Sequence, residues 1–195
     1  MLTALVLGLA QGVRHSLEPD HLAAVSALIG ELRSVKRSAW LGALWGLGHS
    51  VSIAAVAVAV VAFGATLQPA AERLFTIAVG ALLVALGVRA LRHTQHRVTR
   101  SIRTPMQAFA VGTVHGLAGS SAVVALVVAA LPSAASQLVY VGLFGTGSVL
   151  GMAAVSAVAG LGLRRVHGPR GLLVLRLVTG LLSIALGMMT VIAAW

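Results

Sequence analysis

Six apolar stretches, each about as long as a membrane is thick, leave this chain one economical solution: a bundle of membrane-crossing helices. They fall at 2–29, 39–63, 73–91, 106–131, 138–162 and 172–194. Only 9% of the 195 residues are charged, against roughly 25% in a soluble domain. Ala, Val, Leu and Gly dominate, which suits tightly packed transmembrane helices. The expected fold is all-α and polytopic, a single transmembrane domain over 1–195.

The connections between these stretches are short, and their charge alternates. Arg33, Lys36 and Arg37 lie in loop 30–38, Arg92, Arg97, Arg100 and Arg103 in loop 92–105, and Arg164, Arg165 and Arg170 in loop 163–171. Segments 64–72 and 132–137 carry no Lys or Arg, apart from Arg73 at the edge of the first. The positive-inside rule assigns the three basic loops to the cytoplasm and both termini to the outside. The net charge of +10 is therefore an orientation signal and not a nucleic-acid-binding one. MLTALVLGLAQG has no basic n-region and no cleavage site, so it is read as a mature span. The absence of cysteine excludes disulfides, thiolate metal ligands and dithiol chemistry.

An internal repeat runs at a spacing of about 100 residues. Gly12-Val13-Arg14-His15-Ser16-Leu17 aligns with Gly112-Thr113-Val114-His115-Gly116-Leu117, Gly46-x-Gly48 with Gly145-x-Gly147, and Ala85-Leu86-Gly87 with Ala185-Leu186-Gly187. Each half (1–91 and 106–195, joined by the basic loop 92–105) holds three spans. An odd number per half means the halves enter the membrane in opposite senses. This 3+3 inverted repeat is the usual construction of secondary transporters with a site near the midplane.

The first span contains Arg14-His15-Ser16-Leu17-Glu18-Pro19-Asp20-His21. Ionisable side chains in hydrocarbon are costly and mark substrate or ion paths. His with Asp or Glu is also a ligand set for first-row transition metals. On a regular helix His15, Glu18 and His21 share a face about 120° wide, with Asp20 on the other side. Pro19 breaks that regularity: it offers no N–H to the His15 carbonyl and crowds it. Unwinding there would swing Asp20 toward the two histidines, and broken helices are tolerated where they line a cavity. His49 and His115 each lie about ten residues into a span from its cytoplasmic end, a rise of about 15 Å or half the hydrocarbon core. Both have small neighbours: Gly46, Gly48 and Ser50; Gly112, Gly116, Gly119, Ser120 and Ser121.

Taken singly, an intramembrane histidine serves equally well to hydrogen-bond between helices. Four of them together, one in an Asp-His pair, favour an ion site. His49 and His115 stay open as ligands or as supports behind ligands. Arg14 either neutralises Glu18 or Asp20, snorkels, or acts as an anion ligand. His93, His96 and His167 fall in basic loops, where solvation is the simpler reading. Met106, Met152, Met188 and Met189 are scattered and read as packing. The pairs Gly42/Gly46, Gly112/Gly116 and Gly147/Gly151 are expected to pack helices within the protomer rather than between protomers.

The spacing H-x-x-x-x-D-H at His15–His21 resembles the signature of the nickel/cobalt permease family, R-H-A-x-D-A-D-H-I, here Arg14-His15-Ser16-Leu17-Glu18-Pro19-Asp20-His21-Leu22. Leu47-Gly48-His49-Ser50-Val51 resembles that family's L-G-H-S-x-V block. His115-Gly116-Leu117-Ala118-Gly119-Ser120 resembles the H-G-L-A-G-S block of related urease-accessory transmembrane proteins. The sequence departs from the permeases where Glu18-Pro19 replaces Asp-Ala. It also departs at Leu143-Phe144-Gly145-Thr146-Gly147-Ser148, which lacks the carboxylates of their block L-G-F-D-T-A-T-E. The resemblance implies transport of a divalent cation, Ni²⁺ or Co²⁺, as substrate and not as cofactor.

On this reading His15, Asp20 and His21 are ligands, Glu18 is a reserve, His49 completes the site and His115 contributes from the second repeat. The mixed donor set would also accept Zn²⁺ or Cu²⁺ but not Mg²⁺ or Ca²⁺. Histidine ligands must be neutral, so affinity is expected to fall below about pH 6. The competing readings are an exporter of a small anion such as sulfite, built on Arg14 and the Gly/Ser-rich segments, and a non-transporting accessory subunit for metal delivery. No catalytic triad, phosphate loop or nucleophile motif points to an enzyme. The expected partners are the metal ion and the bilayer, with a homo-oligomer or accessory assembly as a further possibility.

Overall fold

A computed structural model of the chain describes residues 2–29, 34–63, 69–92, 104–117, 131–165 and 168–194. Among these are seven α-helices and no strand: α1 (Leu2–His15), α2 (Pro19–Ile29), α3 (Val35–Phe63), α4 (Pro69–Arg92), α5 (Pro105–Leu117), α6 (Ala134–Arg165) and α7 (Gly168–Ala193). Four are long and apolar enough to cross a membrane, over Val35–Ala62, Arg73–Arg92, Ala134–Arg165 and Arg170–Ala193. The described residues are all-helical, and the four long apolar helices mark a multi-pass membrane protein.

The sequence-derived spans match these helices to within a few residues, with two exceptions. Span 2–29 is two helices, of 14 and 11 residues, neither of which reaches the about 20 residues needed to cross alone. Span 106–131 is described only as far as Leu117, so Gly119, Ser120 and Ser121 lie outside the described residues. So do His93, His96 and His167, and Arg33, Arg97, Arg100 and Arg103.

The interior is built from small residues and the exterior from large apolar ones, the reverse of a soluble domain. Ser16, Ser38, Ser52, Ser148, Ser156 and Ser183 are buried, whereas Leu173, Val174, Leu177, Leu181, Met189 and Ile192 of α7 face outward. Several of these serines donate to helix carbonyls across an interface: Ser52 Oγ to the Thr113 carbonyl at 2.7 Å, and Ser183 Oγ to the Ala23 carbonyl at 3.3 Å. Such bonds satisfy hydroxyls that lipid cannot.

α3 crosses α6, α4 lies along α7, α1 packs on α6 and α5 packs on α3, while α2 is held among α4, α6 and α7. Bare backbone makes the closest approaches. A Cβ on Gly12 would strike the Phe144 carbonyl, and one on Gly112 the Trp45 carbonyl. Likewise Gly147 meets Leu9 and Gly48 meets Phe109. Each of these four contacts has a counterpart whose partners are displaced by 99 or 100 residues. The three small-residue pairs noted in the sequence all pack inside the protomer: Gly42 and Gly46 against α6, Gly112 and Gly116 against α3, Gly147 and Gly151 against α1.

Gly160 meets Ser38, so the end of α6 lies beside the start of α3. Gly87 meets Gly180, so α4 and α7 are also antiparallel. The exposed residues Lys36, Arg37, Arg89, Arg92, Arg164, Arg165 and Arg170 therefore gather at one end of the bundle.

Candidate metal centre

The site begins where the first span breaks. α1 ends at His15 because residue 19 is proline. The His15 carbonyl accepts instead from the Glu18 N–H at 3.0 Å, a tighter turn. The Arg14 carbonyl takes the Leu17 N–H at 3.0 Å in the same way. Pro19 then opens α2 at the position where a missing N–H costs nothing, and Leu22 N–H returns to the Glu18 carbonyl at 3.0 Å. The turn through Ser16–Glu18 brings His15, Asp20 and His21 to one place, which a regular helix would not do for Asp20.

Asp20 bridges two histidines. Its Oδ1 lies 3.0 Å from His21 Nδ1 and its Oδ2 lies 3.1 Å from His115 Nε2 on α5. His15 Nδ1 lies 3.1 Å from Glu18 Oε2, and His15 Nε2 lies 3.0 Å from His49 Nε2 on α3. The rings of His15 and His21 are 4.4 Å apart between centroids, and those of His21 and His115 4.5 Å. His21, His49 and His115 are each 1% exposed. The Asp20 side chain is 34% exposed and that of Glu18 52%.

All four intramembrane histidines and Asp20 thus come together from α1, α2, α3 and α5. They form two overlapping triads whose donor atoms lie within 4.8 Å of one another, His15/His21/His49 and Asp20/His21/His115. Glu18 belongs to neither triad, and its carboxylate faces His15. Arg14 is exposed. Of the roles left open for Arg14, neutralising Glu18 or Asp20 gains no support, since both carboxylates face histidines.

Two features fit a metal ion. The two Nε2 atoms 3.0 Å apart are at the separation expected when one ion sits about 2.0–2.1 Å from each. His21 Nε2 is buried with no hydrogen-bond partner among the described residues, while its Nδ1 is held by Asp20. Such an atom costs about 1–3 kcal/mol when left unmet. The carboxylates also do what outer groups do in metal sites. Glu18 behind His15 Nδ1 and Asp20 behind His21 Nδ1 fix each ring with its Nε2 turned inward. The anion reading gains nothing from this arrangement, because a carboxylate occupies the centre and Arg14 points outward.

Sequence reasoning missed the aromatic walls. Trp45 lies 5.6 Å from His21 and 5.7 Å from His115 between ring centroids, and Phe144 lies 5.3 Å from His15. Trp45 stands one helical turn before His49, and Phe144 lies 99 residues further on, the spacing of Gly46 and Gly145. Those two spacings were the available signal.

No solved structure matches this chain. Among curated proteins it is 29% identical over 177 residues to the urease accessory protein UreH of Bacillus sp. (strain TB-90), covering 83% of this chain and 78% of that protein. It is also 29% identical over 191 residues to the chloroplast protein FOR GROWTH AND FERTILITY 1 of Arabidopsis thaliana, covering 82% of this chain and 50% of that protein. The sequence profile of the high-affinity nickel-transport proteins (NicO) matches residues 1–104, which include the broken span and His49. With the match spanning more than half of its length, the chain belongs to the NicO family of high-affinity nickel-transport proteins.

Proposed function

We propose that this protein moves a divalent transition-metal cation, Ni²⁺ or Co²⁺, across the membrane through the His/Asp cluster at the break in the first span. His15, Asp20, His21, His49 and His115 are the ligands in this reading, with Glu18 orienting His15. The observation that carries it is the gathering of four imidazoles and one carboxylate from four helices into two overlapping triads of possible donors. A set of neutral nitrogens and one carboxylate oxygen suits borderline cations better than the hard ones.

The architecture behind this reading is six spans in two inverted halves, 1–91 and 106–195, with α1 and α2 forming the first. Its support is the pairing of contacts between residues 99 or 100 apart. Loops 30–38, 92–105 and 163–171 face the cytoplasm and both termini lie outside. The gathering of exposed Lys and Arg at one end of the bundle supports this orientation.

Nickel accumulation in cells expressing wild type or His21→Ala, at matched membrane expression, tests the reading. A gain that the variant abolishes marks an importer, and a loss that the variant reverses marks efflux. A second reading, metal delivery as a membrane accessory protein, is favoured by the name of the urease accessory relative. It gains if neither nickel nor cobalt accumulation changes while the purified protein still binds the ion.

A further inference from the structure

The two triads share one residue, His21, and differ in chemistry. The first is three imidazoles, His15, His21 and His49. The second is one carboxylate and two imidazoles, Asp20, His21 and His115. His21 has Nδ1 against Asp20 at 3.0 Å and Nε2 buried without a partner. It can therefore serve the first triad through Nε2 while Asp20 holds Nδ1. An ion in the second triad lies between Asp20 and His21 and takes Nδ1 instead, which removes the support that orients His21 toward the first.

The two carboxylates are the more exposed members of the cluster. Glu18, half exposed, stands behind His15 at the first triad, while Asp20, one-third exposed, belongs to the second. Glu18 is the last residue of the turn between α1 and α2, and Asp20 lies in the first turn of α2. The four histidines of the cluster are buried or nearly so.

We propose that the cation occupies two adjacent three-ligand positions, His15/His21/His49 and Asp20/His21/His115, one at a time, with His21 handing it from one to the other. This rests on the metal-transport reading and adds to it a path. The two nitrogens of one imidazole point away from each other, so the ion leaves His21 Nε2 before Nδ1 takes it, with His49 and His115, 5.9 Å apart between ring centroids, flanking the exchange.

Co²⁺ titration of the full chain purified in detergent tests this, because the visible absorption of Co²⁺ reports its ligand set. Wild type should bind one ion per chain. His115→Gln should keep one ion with the spectrum of an all-nitrogen protein ligand set. His49→Gln should keep one ion with a different spectrum, that of a mixed nitrogen–oxygen set. His21→Gln should bind none, and each of the three should lose transport. Alanine replacements at the same positions, each checked by circular dichroism and monodisperse elution, serve where a glutamine variant fails to fold.

Loss of binding in both His49 and His115 variants, or one spectrum shared by both, overturns the proposal in favour of a single undivided site. Two ions bound at once to wild type overturn the alternation. Wild type binding neither Co²⁺ nor Ni²⁺ removes the metal-transport reading itself, which is a distinct result from either of these.

Discussion

Under the proposed repeat, the two halves of this molecule share a packing frame but not a chemistry. Gly12 against Phe144 has its counterpart in Gly112 against Trp45, and Gly147 against Leu9 in Gly48 against Phe109. The proposed ligands are not duplicated in this way. His15 has His115 at a spacing of 100, but Asp20 and His21 correspond to Ser120 and Ser121, Glu18 to Ala118, and His49 to Ser148. Ser148 is buried and donates to the Phe144 carbonyl of its own helix at 2.9 Å. Close backbone approach depends on residue size, and size is kept in both halves. Ionisable groups in hydrocarbon are expensive, and under the proposed repeat only one half carries nearly all of them.

The sharpest way to break this comparison is to exchange roles at matched positions. His49→Ala should lower nickel transport by about 100-fold or more, since even groups standing behind metal ligands contribute about 10–100-fold. Ser148→Ala removes a hydroxyl that donates to the Phe144 carbonyl at 2.9 Å and lies 3.4 Å from the Gly12 carbonyl of α1, costs about 1 kcal/mol of stability, and should leave transport unchanged. Uptake of radioactive nickel at matched expression reads both. Equal loss in the two variants would mean that the second half carries chemistry the structure does not reveal.

The frame has its own test, and there the halves should behave alike. Gly12→Val and Gly112→Val each drive a branched side chain into a facing backbone carbonyl, which cannot swing aside as a side chain can. Both should sharply reduce folded protein, read by fluorescence-detected size exclusion, and to a similar degree. Gly142→Val is the control, because a Cβ there meets nothing within 4 Å.

Much of this was legible in the sequence because the cost of polarity in lipid leaves a strong mark. The apolar spans, the break at Pro19 and the four intramembrane histidines could all be read from position alone. Proline removes a hydrogen bond wherever it stands, so the wheel that put Asp20 on the wrong face could be distrusted in advance. What could not be read was pairing across helices. That Asp20 serves both His21 and His115, or that Trp45 and Phe144 wall the cluster, depends on how α3, α5 and α6 cross. Arg14 shows the same limit. Its neighbours in sequence are the carboxylates, yet the tight turn aims them at histidines and leaves the guanidinium outside.

A pH series separates the imidazoles from the serines without any mutation. Metal competes with protons for each ligand ring, so affinity must fall as pH falls and not as it rises. Binding of Ni²⁺ to the purified protein should be level near pH 7.5 and drop at least about tenfold per unit below about pH 6. A flat profile from pH 5 to 8 would count against histidine ligation and leave the serine-bearing half as the better candidate.

The smallest effect is expected at Glu18, whose counterpart in the second half is an alanine. Its carboxylate contacts His15 Nδ1 at 3.1 Å and belongs to neither triad, so its task is to hold the ring with Nε2 toward His49. Glu18→Gln keeps an oxygen that can accept from Nδ1–H and should weaken Co²⁺ binding only about three- to tenfold, with the spectrum unchanged. Glu18→Ala removes the support altogether and should cost more, toward the about 100-fold upper end for groups behind a ligand. If Glu18→Gln instead abolishes binding and alters the spectrum, the carboxylate itself coordinates the ion. The half-exposed end of the cluster is then a ligand and not a brace, and the first half departs still further from the second.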